Sequence, residues 1–311
     1  MPKISFVFPG QGSQRVGMGK ELVEASPGAK ALFELADKAV GFSLSSLIFE
    51  GPEEQLKQTV NTQPALLTTS IALYQAFASH GITPDYVAGH SLGEYSALTA
   101  AGSLSFEEAV ATVRARGSFM EQAVPSGQGA MAAVLGGERE ALAALCEEIT
   151  SQGQLVELAN MNCPGQIVVS GSKEGVEQLV SRVKEIGAKR AIPLEVSGPF
   201  HSSLMKPAAE KLGAQLSDIQ IQDAQVPVVA NVTARPITDS AQIRNLLVEQ
   251  VYSPVLWQDT VNWLIEQGVD TFIEIGPGNV LAGLIKKIDR TVAIYNVQDL
   301  ESLEATVAAL K

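Results

Sequence analysis

Ser91 stands inside "GHSLG" (89–93), a Gly-x-Ser-x-Gly spacing that suits a nucleophile because a glycine on each side lets backbone approach the hydroxyl closely. A pentapeptide of this kind also arises by chance, so its surroundings decide. A serine hydroxyl needs a base, and the chain holds three histidines. His80 precedes Gly81 in the last turn of a predicted helix, where an imidazole suits the negative end of the dipole. His90 adjoins Ser91, and side chains of neighbouring residues at a sharp turn point apart. His201, in "SGPFHSSLM", is therefore the base by elimination. No acid partner can be singled out from the residues, which leaves a Ser–His dyad as open as a triad.

These side chains need elements to aim them. Short apolar or β-branched runs alternate with stretches of helical length, the pattern of an α/β layered fold. Strands are expected at 4–8, 85–90, 227–232, 271–275 and 292–297, and a helix is expected to open with Pro64 in its first turn and close at Gly81. Ser91 then follows a strand and precedes a helix, the setting of a strand-to-helix elbow, and the helix N-terminus beside it favours a developing oxyanion. Between about 129 and 196 the order changes to strand, helix, strand, strand, helix, strand, which is the ferredoxin-like order. The expected architecture is an α/β-hydrolase-like subdomain with a parallel sheet, residues 1–126 and 198–311, carrying an inserted ferredoxin-like subdomain at 127–197. His201 lies where the chain returns from that insertion, so it belongs at the cleft between the two.

A second glycine cluster, "FPGQGSQRVGMG" (8–19), invites a nucleotide-binding reading that its spacing rejects. Arg15 stands where the dinucleotide fingerprint requires a third glycine, and Met18 stands where a P-loop requires lysine. What remains is a tight turn that can present a backbone N–H to the cleft. The "GPG" turn at 276–278 reads as turn chemistry. In the helix predicted over 105–124, Arg114 and Arg116 fall on opposite flanks of the apolar stripe, each roughly 70–90° from its centre. Periodicity does not choose between them. A guanidinium that does reach an apolar cleft suits a bidentate carboxylate contact.

Composition narrows the class. The 311 residues are 46% hydrophobic and 18% charged, ordinary for a globular chain with a sizeable core, and the formal charge of −12 argues against a nucleic-acid binder. Cys146 and Cys163 have neither disulfide-framework nor metal-site spacing, and "ISFVF" is too short for a signal peptide. A cytoplasmic protein without membrane spans is expected.

Eight segments in order then resemble the malonyl-CoA:acyl carrier protein transacylases: "FVFPGQGSQ", "TQPAL", "GHSLGEYSAL", "RARGSFMEQAVP", "NCPGQIVVSG", "GPFHSSLMKPA", "QVYSPVLW" and "EIGPGNVL". The resemblance covers almost the whole chain. It implies that Ser91 is acylated and that His201 is general base and acid. It further implies backbone N–H donors from Gln11 and Leu92 for the oxyanion, and Arg116, directly before Gly117, as the partner of the malonyl carboxylate. The main-chain carbonyl of Gln250 would orient His201. Gln63 and Asn162 sit in shared motifs without an assigned role, and Phe200 in "GPFHS" resembles the malonyl-selecting members. The implied partners are malonyl-CoA, CoA and acyl carrier protein, with no bound cofactor or metal, acting on a monomer. Both partners are anionic, so a chain at −12 needs local cations, for which Lys189, Arg190, Lys206, Lys286 and Lys287 are candidates.

Overall fold

The computed structural model describes residues 2–311. Its strands are β1 (Ile4–Phe8), β2 (Tyr86–Gly89), β3 (Gly129–Leu135), β4 (Val156–Cys163), β5 (Gln166–Ser172), β6 (Arg190–Pro193), β7 (Val228–Val229), β8 (Pro236–Ile237), β9 (Thr271–Ile275) and β10 (Ala293–Val297). They form two sheets. The larger runs β10-β9-β1-β2-β7-β8, parallel except for the β7–β8 pair, and the smaller runs β4-β5-β3-β6, antiparallel throughout. With the Arg139–Ser151 and Lys173–Arg182 helices between its strands, the smaller sheet has the ferredoxin-like order that the segment pattern predicts.

Strand β1 shows why the large sheet lies in the middle of its subdomain. All five residues of "ISFVF" are buried, Phe6 and Phe8 in the cluster on one face and Val7 in the cluster on the other. A parallel strand covered on both faces reads as a continuous apolar run. The small sheet has its own core, including Val134, Leu145, Ile149, Val169 and Leu179. A main-chain bridge joins the subdomains: Met161 N–H donates to the carbonyl of Val255 over 2.9 Å, and Val255 N–H donates to that of Ala159 over 2.8 Å.

Three expectations are corrected. The helix expected to start at Pro64 spans Thr59–Ala78 and holds Pro64 inside it. In this second turn Pro64 costs the helix its bond to the Val60 carbonyl, and tertiary packing fixes the turn before it. The Cβ that Gly117 lacks would lie 2.8 Å from both the Thr59 carbonyl oxygen and the Val60 Cα, so the Phe106–Gln122 helix presses directly on that turn. The strand expected at 227–232 shrinks to Val228–Val229. Beyond it, Ala230 N–H donates to the Arg235 carbonyl and Asn231 N–H donates to the Glu94 carboxylate, which removes both from the ladder. His80 lies just past its helix, exposed in the turn.

The carboxyl ends of β1, β2 and β7 lead respectively to Gln11, Ser91 and Asn231. In an open α/β sheet this edge is where ligands bind.

Candidate active site

Ser91 occupies the turn between β2 and the Leu92–Ala100 helix with φ 50° and ψ −107°, a conformation that costs about 1–3 kcal/mol in a non-glycine residue. The flanking glycines are obligatory. A Cβ on Gly89 would lie 2.0 Å from the Gly93 carbonyl carbon, and one on Gly93 would lie 2.0 Å from the Phe8 carbonyl oxygen. Side chains hold the turn in place. Ser91 N–H donates to Asn231 Oδ1 over 2.7 Å, while Asn231 Nδ2 donates to the Gly89 carbonyl over 2.7 Å. From the other side, Gln250 Nε2 donates to the Ser91 carbonyl over 3.1 Å.

The hydroxyl of Ser91 lies 2.8 Å from His201 Nε2. His201 Nδ1 lies 2.8 Å from the main-chain carbonyl oxygen of Gln250. A carbonyl only accepts, so Nδ1 carries the proton and Nε2 is left as the acceptor for the Ser91 hydroxyl. Burial and then the nearby Arg116 charge push the His201 imidazole down to about 3, so it is neutral at neutral pH. No carboxylate takes the third position; a main-chain dipole orients the ring instead.

Arg116 is 1% exposed, whereas Arg114 is half-buried, stacked on Phe42 and bonded to Asn61. The structure thus makes the choice that periodicity leaves open. Arg116 Nη1 donates to Gln63 Oε1 over 2.7 Å, and Nη2 donates to Ser91 Oγ over 3.1 Å and to Gln250 Oε1 over 2.9 Å. Its guanidinium also lies 5.5 Å from the centre of the Tyr95 ring. All three hydrogen-bonded partners are neutral. Among the described residues no carboxylate comes within ion-pair distance of it. A buried guanidinium with no carboxylate at ion-pair distance is costly unless a ligand supplies one.

These groups line a cavity of about 120 Å³ between the subdomains, together with Met120, Met131, Leu194 and Phe200. Gln11 and Leu92 also line it, and among the described residues neither of their backbone N–H groups has an acceptor. A larger cavity of about 570 Å³ lies on the other side of His201, against the Arg139–Ser151 helix and Tyr252. Neither Ser91 nor Arg116 reaches it. The chemistry belongs to the smaller one, which holds Ser91, His201 and Arg116.

The acyl transferase domain family matches residues 5–305. The malonyl CoA-acyl carrier protein transacylase of Bacillus subtilis (strain 168) is 60% identical over 311 residues, which cover 100% of this chain and 98% of that protein. The chain belongs to the malonyl CoA-acyl carrier protein transacylases. A member of that family from Staphylococcus aureus (strain MSSA476) is 49% identical over 304 residues, 98% of each chain. The solved transacylase of Coxiella burnetii superposes with a TM-score of 0.96 at 42% identity, covering 100% of this chain and 98% of that one. A malonyl-transacylase solved in complex with a type II PKS acyl-carrier protein matches with a TM-score of 0.96 at 45% identity, covering 99% of both chains.

Within this family member, the residues singled out from the sequence come together at one place: Ser91, His201, Arg116, Leu92 and Gln11 around the cavity, with Gln250 behind them. Gln63 gains a position as the acceptor for Arg116, and Asn162 Oδ1 lies 2.8 Å from His90 Nε2, holding that ring against Trp257 and off Ser91. The five candidate surface cations are exposed, and none pairs with an acid among the described residues. Lys189, Arg190 and Lys287 gather around Leu135 and Gln166 at one end of the small sheet, and Lys206 begins the Lys206–Ser217 helix elsewhere.

Sequence reasoning missed Asn231 and Glu94. Each carried a signal: Asn231 is the polar residue at the carboxyl end of an apolar strand, and Glu94 is the one charged residue in "LGEYSALTA". Glu94 is 1% exposed; burial pushes its carboxyl up to about 7, against hydrogen bonds from Asn231 and Gln250 and the charge of Arg116.

Proposed function

We propose that this chain transfers the malonyl group of malonyl-CoA to the phosphopantetheine thiol of acyl carrier protein, supplying malonyl units for fatty-acid synthesis through an ester on Ser91. The observation that carries the reading is Arg116, a buried guanidinium with neutral partners whose Nη2 sits 3.1 Å from Ser91 Oγ. A site short of one carboxylate beside a nucleophile fits an acyl group that ends in a carboxylate.

Ser91 Oγ attacks the thioester carbonyl while His201 Nε2 takes its proton. The N–H groups of Gln11 and Leu92 face the oxyanion that forms. As the intermediate collapses, the C–S bond breaks and CoA leaves as the thiol with the proton from His201. In the second half the carrier-protein thiol attacks the ester, His201 takes the thiol proton, and the C–O bond to Ser91 breaks as His201 returns a proton to the serine oxygen. The thioester arrives activated, so the reaction needs no bound cofactor or metal. Exposed Lys189, Arg190 and Lys287 at one end of the small sheet form the cationic surface for the anionic carrier protein. The enzyme acts in the cytoplasm as a monomer, which light scattering at working concentration tests.

Intact mass after mixing with malonyl-CoA, acetyl-CoA and methylmalonyl-CoA in turn tests the acyl-enzyme. The expected result is a malonyl adduct that forms faster than the acetyl and methylmalonyl ones and is absent in Ser91→Ala. Chasing that adduct with carrier protein should yield malonyl carrier protein; release of free malonate instead would make the chain a thioesterase.

A further inference from the structure

The side chain of Gln250 has no part in the mechanism above, yet it makes four polar contacts at the site. It is 0% exposed. Its Nε2 faces three acceptors, the Ser91 carbonyl at 3.1 Å, Glu94 Oε2 at 2.8 Å and Asn231 Oδ1 at 3.3 Å, while its Oε1 accepts from Arg116 Nη2 at 2.9 Å. The amide orientation is unambiguous. A flip would turn oxygen toward three acceptors and NH2 toward a guanidinium.

The contact with the Ser91 carbonyl has a geometric consequence. A trans peptide is planar, with its C=O and N–H on opposite sides. The Ser91 carbonyl accepts from Gln250 Nε2 and from the Glu94 N–H, each at 3.1 Å, and holding it there aims the Leu92 N–H the other way, toward the cavity that Leu92 lines. The Ser91 N–H cannot substitute, because Asn231 Oδ1 accepts it at 2.7 Å. Glu94 in turn fixes Gln250, since the same Oε2 receives both Gln250 Nε2 and the Asn231 N–H.

We infer that the Gln250 side chain is a positioning residue for the oxyanion hole: together with the Glu94 N–H it holds the plane of the Ser91–Leu92 peptide, and the Glu94 carboxylate sets Gln250. Its main-chain carbonyl orients the base through a separate atom. One residue thus aligns the base, the oxyanion donor and the carboxylate-binding arginine relative to one another. The inference rests on the proposed Ser91 ester and adds a residue to it.

The test is pre-steady-state acylation of the full chain by acetyl-CoA and malonyl-CoA in wild type, Gln250→Met and Gln250→Glu. Methionine keeps the length and the main-chain carbonyl but removes every side-chain hydrogen bond. Glutamate keeps the shape and the contact to Arg116 but loses the donors, which makes it the second probe if Gln250→Met fails to fold. Thermal melting identifies that failure. For each variant that folds, the acylation rate at saturation is expected to drop about 10- to 100-fold with both donors, a fraction of the cost of deleting an oxyanion donor outright. The acetyl-CoA KM should stay within about twofold, and in Gln250→Met the acid limb of the pH profile should not move. Acetyl acylation at the wild-type rate, or a loss confined to malonyl-CoA, would overturn the inference, because then Gln250 acts only through Arg116. If wild type forms no adduct with malonyl-CoA, the Ser91 ester itself fails, a result separable from either variant.

Discussion

Two turns on the same edge of the large sheet have the same connectivity and opposite fates. One joins β2 to the Leu92–Ala100 helix through Ser91; the other joins β9 to the Val280–Ile288 helix through Gly276, Pro277 and Gly278. Both release backbone N–H groups at a helix start, where negative charge is favoured. In the second turn the protein fills that place itself: the buried Glu274 carboxylate accepts from Leu281 N–H at 3.1 Å and from Ala282 N–H at 2.8 Å. In the first, Leu92 N–H has no acceptor among the described residues, and the charge waiting nearby is the Arg116 cation. The same local fold is a structural joint when its donors are satisfied from within and an active site when they are kept for a ligand.

Matched amide-to-ester replacements break this comparison most directly. Converting the backbone N–H of Leu92 to an ester oxygen removes one oxyanion donor and is expected to lower the acylation rate about 10²- to 10³-fold for every donor. The same change at Leu281 should leave acylation unaltered and cost about 1–3 kcal/mol of stability, since a charged acceptor loses a partner. Rapid-quench kinetics and urea unfolding of the two proteins read both quantities. Equal kinetic effects would mean that the elbow is not special.

The difference between the turns was only partly legible in the sequence. Strand, glycines and helix around Ser91 are local patterns, and periodicity and segment order give the two-subdomain fold for the same reason. What keeps one turn open is long-range. Asn231 and Gln250 lie 140 and 159 residues from Ser91 along the chain, and no spacing rule connects them. Glu274 was visible as the charged residue in "TFIEI", but its partners Leu281 and Ala282 contribute only backbone. Arg116 and Arg114 flank one stripe, and only the packing of the Thr59–Ala78 helix against theirs buries one and leaves the other at the rim.

Replacing the waiting cation sharpens the contrast with less effect. Arg116→Ala is expected to reduce malonyl transfer about 100-fold in kcat/KM while sparing or raising acetyl transfer, because only the malonyl carboxylate loses a partner. Parallel assays with the two CoA thioesters measure the ratio. Equal losses would remove Arg116 from that role.

The same substitution should move a pH limb. Burial and then Arg116 hold His201 at about 3, so kcat/KM with acetyl-CoA should show no imidazole limb from pH 5 to 8 in wild type. Arg116→Ala removes the second cause and leaves the first. The acid limb should then rise while staying below the ordinary imidazole value of about 6.5. A limb that stays in place would mean that the two groups do not interact.

The smallest effect tests the closed turn. Burial pushes the Glu274 carboxyl up to about 7 despite the two N–H donors. A carboxyl with a folded value above its unfolded one binds more protons when folded. Its contribution to stability is therefore complete below about pH 4.5 and declines as pH rises toward about 7. Glu274→Gln removes that titration, so urea midpoints between pH 4.5 and 7.5 should fall less steeply than in wild type. The slope should not vanish, because buried Glu94, also pushed up to about 7, carries the same sign. Acylation of Ser91 should be unchanged at each pH, since Glu274 does not line the cavity that holds Ser91. A changed acylation rate would show that the second turn is coupled to the first and that its carboxylate serves the reaction as well as the fold.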